Sequence, residues 1–376
     1  MSGRYEPFPV YDLEGTADDC GVQHGEQAAG RIANTIEMYL SAFSRQAKLT
    51  LEDVRQRARA FSKAIAEVDE DILAEIQGIA TGARQRVEDI IAVNCRTELL
   101  YGDLAGRQPA TECTTIVALP EATKSRALII GKNWDWRNAA IDSVVVLRVK
   151  QKGKPGLALI VEAGMVGRDG FNEHGIVVCG NLLVSHEDQG KVGVPIPILR
   201  RRILNSTHYY DAIDILVGSP RGASGNYVIA HRDGVAIDFE TTPSNVYMVY
   251  PERGLLTHAN HFQSAVAQAT GVAKYYTGDS VYRDFRARQL LEGRIGKITI
   301  EDVQAVLKDR FGAPRAICRE PHDYAGHEPT MTIASLIFDM GCEVMHVAAG
   351  QPTRSRYQPV RLPGTSMGRA EVAHAG

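Results

Sequence analysis

The chain changes texture near Gly106, and that change restricts its fold more than any other feature. Ahead of it, apolar residues recur at three- and four-residue spacing, as in Ala28, Ile32, Ile36, Tyr39 and Leu40. The pattern predicts helices over 27–43, 51–68, 71–86 and 87–100. Thr50 is a suitable N-cap for the second, with Glu52 and Asp53 in its first turn. Beyond Gly106 come short β-branched runs bounded by Gly, Pro, Asn and Asp: 114–119, 126–130, 143–149, 157–162, 175–179, 226–231, 235–239 and 245–249. Helical patterns interrupt them at 197–204, 209–217, 281–292 and 300–308, and paired strands at 331–339 and 342–348 follow. Consecutive strands joined by tight turns favour antiparallel sheets whose outer faces helices cover. A layered α+β fold is expected, without the βαβ alternation of a parallel sheet or any visible repeat.

At 376 residues the chain is long enough for one large core or two. A formal net charge of −3 gives no electrostatic case for nucleic acid or an acidic membrane as partner. The apolar runs are strand-sized, and the first twelve residues lack a signal-type apolar core, so a cytoplasmic location is expected. Six cysteines lie far apart without a CxxC pair, which reads as reduced, mostly buried thiols. Any exception has to be justified by its neighbours.

Cys113 has such neighbours. It opens the strand pattern 114–119, and a turn-rich segment then leads to Asn133-Trp134-Asp135-Trp136, where the only two tryptophans flank a carboxylate. A thiol at the head of a strand can attack the preceding carbonyl, that of Glu112. The cysteine so released carries an α-amine of pKa about 7.7–8.0, suited to act as general base. Nucleophile and base then share one residue. Asp135, shielded by indoles, needs a cationic partner, although an aromatic hairpin with a turn-capping aspartate explains it equally well. Asn260, in Thr257-His258-Ala259-Asn260-His261, offers an amide for an oxyanion, and Arg319 follows an apolar run where arginine commonly meets a carboxylate. Two rivals stay open: an uncleaved thiol hydrolase in which His258 or His261 activates Cys113, and a non-catalytic metabolite-binding protein.

Other signals are weaker. The HxxH of His258 and His261 lacks a nearby glutamate or third ligand, so no metal is expected. Gly222-Ala223-Ser224-Gly225 lacks the spacing of a nucleophile elbow, and Gly164, Gly167 and Gly170 precede no helix, so no dinucleotide or other cofactor is expected. His24 follows a plausible turn and reads as a structural contact.

Taken together and in order, several motifs carry a resemblance across nearly the whole chain. They are Gln23-His24-Gly25, Asn94-x-Arg96-Thr97-Glu98, Cys113-Thr114-Thr115, Asn133-Trp134-Asp135, Glu162-Ala163-Gly164, Gly170-Phe171-Asn172, His258-x-Asn260-His261 and Ile317-Cys318-Arg319. The chain resembles the acyl-coenzyme A:6-aminopenicillanic acid acyltransferase family of C45 peptidase-like, N-terminal-nucleophile cysteine hydrolases. It is more distantly similar to penicillin V acylases and bile salt hydrolases. The resemblance implies a four-layer αββα sandwich of antiparallel sheets and a precursor that cuts itself before the nucleophile. It implies Cys113 as that nucleophile, Asp135 as the carboxylate orienting its amine, Arg319 as the paired arginine, and Asn260 as the oxyanion-hole amide. Ser224 is matched to a serine implicated in processing. The products would be 1–112 and 113–376, associated as one domain. Tyr101, Trp136, Met165 and Phe171, beside motif positions, are expected to line an apolar pocket. The implied partners are a small N-acyl substrate and, as acceptor, water, an amine or acyl-coenzyme A chemistry. One departure stands out: relatives place glycine where this chain has Glu112, which would slow cleavage or help position the attacking water.

Overall fold

The computed structural model describes residues 5–101, 113–272, 277–324 and 327–365. The chain begins with β1 (Val10–Gly15), α1 (Ala17–Gln27), α2 (Ala29–Ala42), α3 (Leu51–Val68), α4 (Glu70–Ala83), α5 (Val87–Asn94) and α6 (Arg96–Tyr101). There follow β2 (Thr114–Ala118), β3 (Ile129–Arg137), β4 (Val144–Gln151), β5 (Leu157–Glu162), β6 (Asp169–Asn172) and β7 (Ile176–Cys179). Next come α7 (Ile196–Leu204), α8 (Tyr209–Gly218), β8 (Gly225–His231), β9 (Val235–Thr241), β10 (Val246–Val249), β11 (Leu255–His258) and α9 (Ala265–Ala269). The last elements are α10 (Gly278–Glu292), α11 (Ile300–Leu307), β12 (His322–Tyr324), β13 (His327–Asp339), β14 (Val344–Ala349) and β15 (Gln358–Val360).

Eight strands form one sheet in the order β1-β4-β5-β6-β7-β8-β9-β10. The second runs β11-β2-β3-β13-β14-β15, with β12 on β13. The β1–β4 pair is parallel and the other described pairs are antiparallel. Helices α1, α7 and α8 lie on the first sheet, α10 and α11 on the second. This is the four-layer αββα arrangement. Alternation along each strand assigns its side chains to layers. Ile116, Ala118 and Ile129 pack with Leu291, Val303 and Leu307 under α10 and α11, whereas Val117, Ile130, Trp134 and Trp136 belong to the main core. Phe171 of β6 and Phe338 of β13 meet edge to face at 6.3 Å.

Several elements escape the sequence pattern, among them β6, β11, β1 and α1. In β1 only Leu13 is buried, so an edge strand offers little alternation to detect. Helix α1 starts at a Thr16–Asp19 capping box and contains Gly21 and Gly25, residues that argue against a helix interior. They are there for contact with α4: a Cβ on Gly21 would sit 2.1 Å from the Glu75 carbonyl oxygen, and one on Gly82 would sit 2.2 Å from that of Val22. His24 therefore lies within a helix rather than after a turn, and its Nε2 accepts the Gly164 N–H at 3.2 Å. Asn133 to Trp136 is strand, not a hairpin tip. The expected helix over 87–100 breaks at Cys95 into α5 and α6.

Candidate active site

Cys113 stands immediately before β2, buried, with its thiol in the main core between the sheets. Its main chain is held on both sides. The Cys113 N–H donates to Asn260 Oδ1 at 2.6 Å, and its carbonyl accepts from Arg283 Nη1 at 2.6 Å. Arg283 also donates to Thr114 Oγ1 at 2.8 Å and to Asn260 Oδ1 at 3.1 Å, and its Nε lies 3.4 Å from Asp279 Oδ2. A buried guanidinium with three acceptors and a carboxylate is well satisfied and geometrically stiff. Asn260 is fixed further by its own N–H to Ser280 Oγ at 2.7 Å and by Nδ2 to the Leu182 carbonyl at 3.0 Å. In the uncut chain the side-chain oxygen of Asn260 thus receives the Cys113 amide, while its NH₂ is turned to Leu182.

Asp135 is reached from the opposite side of β3. Its Oδ1 accepts from Thr332 Oγ1 at 2.6 Å, and its Oδ2 lies 4.0 Å from Arg319 Nε. Burial pushes this carboxyl up to about 8, with Arg283, the Thr332 hydrogen bond and Lys132 pulling the other way. Arg319 makes its closer ion pair with Asp279, at 3.0 Å. The Cys113 Sγ is 4.0 Å from the main-chain oxygen of Asp135. Cys113, Asp135, Asn260 and Arg319 are therefore gathered in one region, joined by Arg283 and Asp279, two residues that sequence reasoning missed. Only the structure exposes them: Asp279, Ser280, Arg283, Ala287 and Leu291 form the buried stripe of α10, which sets charges at core-facing positions.

A cavity of about 40 Å³ opens beside Cys113, lined by Arg96, Thr97, Trp136, Met165, Arg168, Asn181 and Arg200 among others. It has room for a small polar group rather than a long chain. Trp136 and Met165 line it as expected. Tyr101 and Phe171 are not among its walls; Phe171 packs against Phe338 instead. The lining also carries charge, in Arg96, Arg168 and Arg200, and further charges lie behind it. Lys132 Nζ donates to Asp169 Oδ2 at 2.7 Å, with Arg200 Nη1 3.2 Å and Arg168 Nε 3.6 Å from the same carboxylate. Thr115 Oγ1 donates to Asn181 Oδ1 at 2.9 Å, which ties β2 to the first sheet across the cavity floor.

The remaining candidates lie elsewhere or make other contacts. Ser224 donates its N–H to Asp188 and its hydroxyl to Ser185 Oγ, at 2.7 and 2.8 Å. The His258 Nε2 lies 2.8 Å from Glu240 Oε1 and 3.8 Å from Asp238 Oδ2. Burial disfavours its charge, but Asp238 and Glu240 outweigh burial and lift it to about 9. A protonated imidazole has no lone pair with which to deprotonate a thiol. His261 is hydrogen-bonded at Nδ1 to Ser280 Oγ at 2.9 Å. This geometry gives no support to a Cys–His pair. Glu112 lies outside the described residues. No cluster of metal-ligating side chains occurs among the described residues. No described helix is long and apolar enough to cross a membrane.

Residues 122–354 match the family model for acyl-coenzyme A:6-aminopenicillanic acid acyl-transferase. The chain belongs to that family. The matched segment contains Asp135, Asn260, Arg283 and Arg319 and begins past Cys113. Membership makes the protein one of a family of acyl-transferases. Over 343 residues it is 29% identical to the 40 kDa form of acyl-coenzyme A:6-aminopenicillanic-acid-acyltransferase of Emericella nidulans, covering 90% of this chain and 92% of the relative. Among solved structures it is similar to a Caenorhabditis elegans orthologue of N-acylethanolamine-hydrolyzing acid amidase (TM-score 0.45, 14% identity, 61% of this chain and 93% of the other). A further similarity is to penicillin V acylase from Agrobacterium tumefaciens (TM-score 0.44, 14% identity, 63% and 83%).

Proposed function

We propose that this family member is a self-processing N-terminal-cysteine enzyme that cleaves or transfers the acyl group of a linear, non-peptide N-acyl amide through a Cys113 thioester. The observation that carries the reading is the double grip on Cys113: its N–H by Asn260 and its carbonyl by Arg283, with its thiol beside a cation-rich cavity. Fixing the peptide groups on both sides of Cys113 pre-organises its thiol for attack.

In the proposed maturation, Cys113 Sγ attacks the Glu112 carbonyl carbon. The C–N bond to Cys113 breaks, the nitrogen takes the thiol proton, and water hydrolyses the resulting ester to free the Glu112 carboxylate and restore the thiol. In turnover, the new α-amine accepts the thiol proton and sulfur attacks the substrate carbonyl. The scissile C–N bond breaks and the departing amine carries that proton away. Water or a second amine then takes the acyl group from sulfur. Asp135 and Arg319 serve as positioning residues on the far side of β3, and Asn260 as the donor to the oxyanion once its amide turns from Leu182.

Segments 1–112 and 113–376 should stay together after cleavage, because β1 is hydrogen-bonded along β4 and Arg96 pairs with Glu162 at 3.1 Å. A cytoplasmic setting is part of this reading, supported by six cysteines of which none is in a disulfide with a described residue. The test is amide turnover by purified wild type beside Cys113→Ala. Loss of turnover to background is expected; a Cys113→Ala protein that still released amine from the substrate would refute the proposal.

A further inference from the structure

Beyond the reaction type, and resting on the reading of Cys113 as its nucleophile, the cavity carries information about the substrate. We infer that it recognises a carboxylate on the substrate, and that Arg168 is the residue that binds it. The preferred substrates are then N-acyl amides with an acid group on one side of the scissile bond.

The case begins with charge balance. One carboxylate, Asp169, is shared by Lys132, Arg168 and Arg200. The other described partners of Lys132 and Arg200 are the carbonyls of Gly180 and Asn226, which accept hydrogen bonds but neutralise nothing. Arg96, on the same cavity, has a carboxylate of its own in Glu162. Among the described residues these three buried cations share one carboxylate, an arrangement that is costly unless another anion completes it.

Arg168 is the member left open. It is only 8% exposed, yet its sole ion pair, to Asp169, is 3.6 Å long, and no hydrogen bond from it to a described residue is found. Buried guanidinium donors are normally filled. Its plane is fixed by stacking on Trp134, with Cζ 3.6 Å from the ring centroid. Burial and the neighbouring Arg96 and Arg200 all oppose its charge, but a guanidinium does not shed its proton. What remains is a rigid planar fork at the wall of the cavity that Cys113 shares, the geometry that matches a carboxylate through two parallel hydrogen bonds.

The test compares kcat/KM of the purified enzyme on three small amides of one size: an N-acyl amino acid, a dicarboxylic acid monoamide and a neutral amide. At least one acid should exceed the neutral amide by about 10- to 100-fold, the range of a charge-assisted pair. The two acids tell whether the carboxylate belongs to the amine or the acyl side. In Arg168→Gln the preference should collapse, chiefly through KM, and Arg168→Lys should restore part of it. Equal kcat/KM on all three amides in the wild type would overturn the inference while leaving the amide reading intact, whether or not the variants fold. If no amide is turned over, the nucleophile reading is what fails. Tryptophan fluorescence then decides the site: saturable quenching by the acids, absent with the neutral amide and in Arg168→Gln, supports it, and no quenching overturns it.

Discussion

On the face of β3 turned toward the first sheet, Trp136 lines the cavity of Cys113 with three guanidinium groups, Lys132 pairs with Asp169, and Trp134 stacks on Arg168. On the opposite face, Asn133 donates to the carbonyls of Leu307 and Ile317 at 2.9 and 2.8 Å, and Asp135 meets Thr332 and Arg319. One side sets buried cations next to a nucleophile, whereas the other fixes Asn133 and Asp135 against Ile317, Arg319 and Thr332. The two-residue period of a strand allows this division. A reactive side chain can point into a cavity while its own backbone is gripped from behind, so chemistry and positioning need not compete for the same space.

The comparison predicts that damage behind the strand should be as harmful as damage in front of it. The largest effect is expected from Arg283→Met, which strips the Cys113 carbonyl, Thr114 and Asn260 of a shared donor. Activity should fall at least about 100-fold, and stability by about 3–5 kcal/mol, as for a broken buried pair. Arg283→Lys should recover some of each, read by kcat/KM and chemical denaturation. Wild-type activity in Arg283→Met would break the comparison outright. Next is Asn260→Ala, which should cost about 10²–10³ in kcat and only about 1–3 kcal/mol of stability. A change confined to KM would move Asn260 from oxyanion stabilisation to ground-state substrate binding.

The smallest effect concerns His258, which links β11 to Glu240 of β9. Its folded-state pKa, about 9, lies above the ordinary 6.5. The folded protein therefore binds this proton more tightly than the unfolded chain does. The stabilisation is complete below about 6.5 and is lost as pH rises through 9. His258→Gln should flatten the decline of melting temperature over that window by a few degrees. An unchanged slope would mean that the Glu240 contact contributes no such linkage.

Much of this was legible from residue order. The layers follow from helical spacing giving way to strand runs, and Cys113 and Asp135 stand out because one opens a strand and the other sits between the only tryptophans. Arg283 was not legible, because within 281–292 it reads as one more charge on an amphipathic helix until the stripe facing Cys113 is known. Lys132 and Arg168 were hidden for the same reason: a cation in a strand or turn reads as solvent-facing, and Asp169 becomes their partner only when β3 and β6 face each other. Phe171 shows the limit of adjacency to a motif, since it lies two residues beyond Asp169 on the same strand and packs on Phe338 instead of the cavity. Helix α1 was missed because its glycines disfavour helix locally while permitting the close crossing with α4.

The most direct test of the account is the intact mass of freshly purified protein under denaturing conditions, beside a Cys113→Ala control. The account predicts two polypeptides that meet between Glu112 and Cys113 in the wild type and a single full-length chain in the control. A wild type that turns over amide as one uncut chain would contradict it.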